Sequence, residues 1–222
     1  MKHLSLQNNF KYKQYWRKSA LKNGFDQIFI DLIKEKKPKI FLEIGVFTGV
    51  TARNVCELLS LINNNDFFYY GIDLFEDYKE AISKEFIPKF LSENQNFSNP
   101  LKSFVYNFLL KEKLNSLSSV SNFLKKFKSN IRLIKGNSLE ILPKIDLKMF
   151  DMIFVDGGHS YETVKYELGY ILKNIKNNCL VVCDDYTLLE TPGVKKAIDE
   201  AIVEYSFNLK VVGNKFACLS KR

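Results

Sequence analysis

The sequence predicts a doubly wound α/β fold: a mostly parallel, seven-stranded sheet with a helical insertion. Three observations predict it. Short apolar runs rich in β-branched and aromatic residues alternate with stretches of helical spacing, the pattern of a parallel sheet built from crossover units. The first five runs each end on a glycine or an aspartate. The last two flank Gly213-Asn214, a hairpin signal that closes the sheet with one antiparallel strand.

The elements follow in order. KIFLEI at 39–44 ends at Gly45 and reads as a buried parallel strand. Residues 49–62 place Val50, Val55, Leu58, Leu59 and Ile62 at helical spacing. FFYYGID at 67–73 is the second strand and IRLIK at 131–135 the third, with SLEILPKI a short helix after it. FDMIFV at 150–155 is the fourth strand. Residues 160–175 then form a helix with Val164, Leu168, Ile171 and Leu172 on one face. CLVVC at 179–183 is the fifth strand. Thr191-Pro192-Gly193 opens the next helix, with proline early, where its missing N–H costs nothing. FNLKVV and KFACLS, at 207–212 and 215–220, complete the sheet. Residues 76–129 separate the second and third strands by more than one crossover helix needs. LKSFVYNFLLKEKL within them has helical periodicity, so the stretch is a helical insertion, either capping a site or packed on one face. The organisation expected is a helical arm over 1–37 and one domain over 38–222.

Composition narrows the function. Hydrophobic residues make up 46% and charged residues 26%, which fits a globular chain. No apolar run approaches the roughly 18–20 residues of a membrane helix. The N-terminus lacks a signal peptide's apolar stretch, so a soluble, cytoplasmic protein is expected. Cys56, Cys179, Cys183 and Cys218 form no CxxC pair, and with only His3 and His159 no zinc spacing arises; reduced thiols are expected. The net charge is +8. Lys2, Lys11, Lys13, Arg17, Lys18 and Lys22 precede Asp26 with no acid among them, interleaved with Phe10, Tyr12, Tyr15 and Trp16. That segment is either an arm for an anionic partner or an amphipathic helix packed through its aromatics.

Four motifs carry chemistry. Glu43-Ile44-Gly45-Val46-Phe47-Thr48-Gly49 lies at a strand-to-helix turn. Its glycines permit close approach and tight packing, and the helix start favours a carboxylate. Glu43 balances an ammonium, so an amino-acid ligand suits the turn. A dinucleotide turn needs a glycine where Phe47 stands. Tyr70-Gly71-Ile72-Asp73-Leu74 ends the second strand on an acid able to hold ribose hydroxyls, or to serve as a turn residue. Gly136-Asn137-Ser138 offers side chains for the polar edge of adenine and equally an N-cap before Glu140. Asp156 ends the fourth strand, and Asp184 and Asp185 end the fifth; on neighbouring strands the three acids would converge, which is costly unless a cation answers them. Oxygen-only ligands suit Mg²⁺, Mn²⁺ or Ca²⁺. The alternative is that one or two of these acids cap helices or bind the cofactor amine. His159 lies three residues after Asp156 in FDMIFVDGGHSYE.

With this strand order, EIGVFTG, GID, GNS and FDMIFVDGGHSYE together resemble class I S-adenosylmethionine-dependent methyltransferases, a Rossmann-like fold. More narrowly they resemble the bacterial group with a DGxHxYE segment and a DD pair, related to cation-dependent, catechol-type O-methyltransferases. The resemblance covers roughly residues 38–220 without the insertion. It implies that Glu43, Gly45, Asp73, Asn137 and Ser138 bind S-adenosylmethionine, with Thr48, Gly49, Leu74 and Asp156 in the same candidate set. It implies a metal, Mg²⁺ first, on Asp156, Asp184 and Asp185. In catechol-type enzymes a lysine stands at the His159 offset as general base. Here the base is His159 or, instead, Asp156. Tyr161 is a further lining candidate and Glu162 a helix-start acid. The expected reaction is methyl transfer to a hydroxyl of a small acceptor, a sugar or secondary-metabolite precursor.

Other readings leave their own signatures. Base N-methylation in this fold uses an (N/D)PP(Y/F) turn, and cytosine chemistry a nucleophilic cysteine; DGGH is neither. Ribose methylation of RNA and a non-catalytic cofactor-binding scaffold stay open. A homodimer through the N-terminal arm is a mild expectation.

Overall fold

The computed structural model of the protein describes residues 25–75 and 113–222. The basic segment before Phe25, the dimer expectation drawn from it, and insertion residues 76–112 lie outside the described residues.

The described chain runs α1 (Phe25–Lys36), β1 (Ile40–Ile44), α2 (Val50–Ile62), β2 (Phe68–Asp73), α3 (Leu117–Phe123), β3 (Ile131–Lys135), α4 (Ser138–Ile141), β4 (Met152–Val155), α5 (Tyr161–Asn174), β5 (Leu180–Cys183), α6 (Pro192–Glu204), β6 (Phe207–Val212) and β7 (Phe216–Lys221). The sheet has seven strands in the order β3-β2-β1-β4-β5-β7-β6. Pairs among β1 to β5 are parallel; β7 runs antiparallel to both β5 and β6.

Alternation along the strands sorts the core into two layers. Phe41, Met152, Phe154 and Val182 face α1, α2 and α3; Leu42, Ile44, Ile153, Val155, Val181 and Cys183 face α5 and α6. Since both faces are covered, β4 and β5 are apolar throughout and β1 carries one polar residue, Glu43. Helix α1, read from sequence as the end of an arm, belongs to the first layer: Phe29 is fully buried, with its ring centroid 4.4 Å from that of Phe154.

The described end of the insertion packs on α2. Arg53 donates from Nη1 to the Phe123 carbonyl at 3.0 Å and from Nη2 to Glu57 at 2.9 Å, while its guanidinium lies 5.1 Å from the Phe127 ring. The neck is closed too: Asn115 Nδ2 donates to the Phe75 carbonyl at 3.2 Å.

The sheet's ladders overrun the strand ends by one residue, and those residues are the candidates. Gly45 N–H donates to Ile72 O at 2.9 Å, Asp156 N–H to Ile44 O at 2.8 Å and Asp184 N–H to Val155 O at 3.0 Å. The site is thus fixed by sheet hydrogen bonds at the carboxyl edge, where open α/β sheets bind ligands.

Candidate active site

The turn after β1 is shaped first by the protein itself. Gly45 has φ +94°, and a Cβ there would stand 2.0 Å from the Asp156 carbonyl oxygen. The glycine therefore lets the β1 and β4 loops touch. Gly49, at φ +76°, caps α2 with no side-chain acceptor for the first amides. A Cβ on it would meet Val120 of α3 at 2.9 Å.

Glu43 lies beneath this turn and is 1% exposed. Its Oε2 accepts from the Tyr69 hydroxyl, while Oε1 has no hydrogen-bond partner among the described residues. Burial pushes the carboxyl up to about 8; the Tyr69 bond works against this and the charge of Asp73 with it. The Thr48 hydroxyl is equally shielded and unpartnered among the described residues. Two orphaned polar atoms beside a bare helix start cost stability.

Asp73 ends β2 and ties its surroundings. Oδ2 accepts from Phe47 N–H at 2.8 Å and Oδ1 from Phe75 N–H at 2.5 Å. Leu74, between these, is half-buried. Beyond β3, Asn137 caps α4, its Oδ1 accepting from Leu139 N–H at 3.0 Å. The Ser138 hydroxyl donates to Glu167 at 2.5 Å. The capping alternative is therefore realised, and Asn137 stays at the carboxyl edge.

The acids beyond β4 and β5 divide. Ligand atoms of Asp156, His159 and Asp185 lie within 4.8 Å of one another. His159 Nε2 is 3.3 Å from Asp185 Oδ2. Asp184 belongs to a second arrangement, with Lys215. The Lys215 Nζ lies 2.6 Å from Asp184 Oδ1 and 2.6 Å from Asp185 Oδ1. Burial and then the neighbouring carboxylates push Asp156 well above the usual range. Burial and the Asp185 charge raise Asp184 to about 6 despite Lys215. For Asp185 burial acts upward, but His159 and Lys215 outweigh it and hold the carboxyl low. The space that Asp156, His159, Asp184 and Asp185 enclose with Val155, Gly158, Val164, Cys183 and Val194 is about 10 Å³, the room of one water.

This geometry does not fit the oxygen-only, three-aspartate Mg²⁺ centre expected from sequence. Asp184 faces an ammonium, and the group that does converge pairs two carboxylates with an imidazole, a mixed set that a hard cation disfavours. Sequence reasoning missed Lys215, which lies 30 residues beyond Asp185. The signal was a charged residue opening the otherwise apolar run KFACLS. Tyr161, expected to line the site, turns to α6 instead: its hydroxyl donates to Glu200 Oε2 at 2.6 Å. Glu162 stands in the first turn of α5, and Ser160 caps that helix.

A family description reading "methyltransferase domain" matches residues 42–186, most of the chain. The chain belongs to the methyltransferase domain family. The methyltransferase is similar in fold to an O-methyltransferase from Bacillus cereus solved with S-adenosylhomocysteine. Identity is 12%, the TM-score is 0.60, and 100% of this chain and 92% of that one are covered. A second similar structure is the O-methyltransferase TomG from Streptomyces achromogenes with S-adenosylmethionine, at 17% identity and TM-score 0.56, covering 94% of this chain and 87% of that one. The fold is thus that of class I S-adenosylmethionine-dependent methyltransferases. A curated relative, a ribosomal protein uS12 methylthiotransferase from Endomicrobium trichonymphae, is 28% identical over 150 residues. That match takes in 66% of this chain, which spans only 30% of that protein's length. No helix among the described residues is long and apolar enough to cross a membrane.

Proposed function

We propose that this methyltransferase transfers a methyl group from S-adenosylmethionine to a hydroxyl of a small molecule, a sugar or secondary-metabolite precursor. One observation carries the cofactor part. The orphaned Glu43 Oε1 and Thr48 Oγ1 flank a helix start capped by glycine, which suits an ammonium and a carboxylate on one carbon. Asp73 supports the ribose and Asn137 the adenine edge. Both similar structures are O-methyltransferases, which favours oxygen as acceptor.

The cofactor brings a sulfonium methyl, so the reaction is already downhill and needs alignment more than activation. The chain's own part is the proton. Asp185 holds the His159 imidazole, which takes the acceptor's hydroxyl proton as the methyl passes from sulfur to oxygen and S-adenosylhomocysteine is left. Asp185 then steadies the imidazolium. Asp156, next to both, orients the hydroxyl. No step is routed through a metal. We place the enzyme in the cytoplasm, which the four unpaired cysteines favour.

Calorimetric titration of S-adenosylmethionine into the folded, EDTA-treated chain tests the reading. Binding is expected in the micromolar range, about −8 kcal/mol, with loss in Asp73→Ala. No heat with the wild-type chain would remove the proposal.

A further inference from the structure

The three carboxylates at the ends of β4 and β5 need a counter-charge, and the structure supplies one from within the chain. Lys215 opens β7's end of the hairpin, is 8% exposed, and places Nζ 2.6 Å from both Asp184 Oδ1 and Asp185 Oδ1. Burying an ammonium costs several kcal/mol unless carboxylates repay it, and breaking such a pair is costly again. This lysine is also held by its backbone. Tyr186 N–H donates to the Lys215 carbonyl at 3.0 Å, and the Thr187 hydroxyl donates to the Asn214 carbonyl. The tip of the β6–β7 hairpin is therefore fastened to the very loop that carries the two acids, and the side chain has little freedom to leave.

We infer that Lys215 is the resident counter-cation of the Asp184–Asp185 pair, and that it stands in for a divalent metal, so that methyl transfer by this chain is metal-independent. The inference rests on the methyltransferase reading above and deepens it. A divalent ion bound to the same oxygens would have to displace a buried ammonium or sit against its charge. Through Asp185, Lys215 also acts as a positioning residue for His159: Oδ1 is taken by Lys215 and Oδ2 by the imidazole. The carboxylate is bridged from both sides, which fixes the direction in which the imidazole is held.

The test uses the full chain, treated with EDTA, desalted and titrated with Mn²⁺ while free ion is followed by electron paramagnetic resonance. Wild type and Lys215→Met are compared, and Lys215→Arg serves as the charge-preserving control. The wild type and Lys215→Arg are expected to show no site tighter than about 1 mM, a weak affinity for a carboxylate site. Lys215→Met is expected to acquire one site at least about tenfold tighter, since two carboxylates have lost their cation. A micromolar Mn²⁺ site in the wild type overturns the inference, and so does a folded Lys215→Met that gains none. If Lys215→Met is recovered only as aggregate, the wild-type titration decides alone by the same criterion. Titrating S-adenosylmethionine into the same EDTA-treated wild type keeps the two ideas apart. Failure there removes the function proposed above and leaves the Mn²⁺ result as it is.

Discussion

At Gly45 two demands meet in one residue. The backbone takes φ +94°, and the space a methyl would fill is already held by Asp156's carbonyl at 2.0 Å. Gly45→Ala must therefore shift the β1 and β4 loops apart. A loss of about 3 kcal/mol or more in urea unfolding is expected, since strain and a lost loop contact add. Glu43 gives a prediction in pH. Its folded-state value, about 8, lies above the 4.5 of a free carboxyl, so the apo fold binds one more proton than the unfolded chain between those values. Its contribution therefore weakens apo stability as pH rises through that window and levels off above about 8. The groups around it are the Tyr69 hydroxyl, Cys56, Asp73 and Asp156. Melting curves of wild type against Glu43→Gln from pH 5 to 8 should diverge, with the variant gaining relative to wild type as pH rises. Parallel curves would mean that the carboxyl is ionised throughout. Cofactor affinity should run the other way. An ammonium selects the ionised carboxylate, so binding tightens toward pH 8 in wild type and stays flatter in Glu43→Gln.

At the scale of elements, periodicity was enough for the strands and the longer helices, because burial on both sheet faces makes the central strands short, almost wholly apolar runs. Glycines and aspartates at run ends located the carboxyl edge for the same reason: sheet hydrogen bonds carry through them. Contacts between elements distant in sequence were not legible. That Asp184 and Asp185 face an ammonium was not readable, because nothing local shows a lysine returning on a hairpin 30 residues later. Tyr161 read as a site residue because spacing along α5 says nothing of Glu200 on α6. Helix α1 read as an arm because the basic stretch before it dominates its composition. Its packing makes it part of the core, and truncation tests this. Phe29→Ala empties a fully buried position against Phe154 and Phe216 and should cost about 3–5 kcal/mol in urea unfolding. A cost below about 1 kcal/mol would mark α1 as peripheral.

At the scale of the whole molecule, one sheet carries two cores and a single reactive edge. The α1–α3 layer lies under the turn after β1, and the α5–α6 layer lies under the acids and His159. Tyr69 belongs to the first layer and its hydroxyl meets Glu43, while Cys183 and Val155 belong to the second. The proposed binding turn and the proposed base thus rest on separate packing units joined through β1 and β4. A cavity under α5, as in Leu168→Ala, should lower turnover while leaving S-adenosylmethionine affinity within about threefold, since sites without shared partners act independently. Equal losses in both would show that the layers do not act separately.

The neck of the insertion has a consequence for how such a chain diversifies. Phe75 and Asn115 are hydrogen-bonded neighbours, so the segment between them leaves and rejoins the sheet at one point. The free energy of closing a chain whose ends already meet grows only with the logarithm of its length, about 0.6 kcal/mol for each doubling. Added length between these two residues is therefore expected to cost the sheet little, which urea unfolding of a chain lengthened there would check.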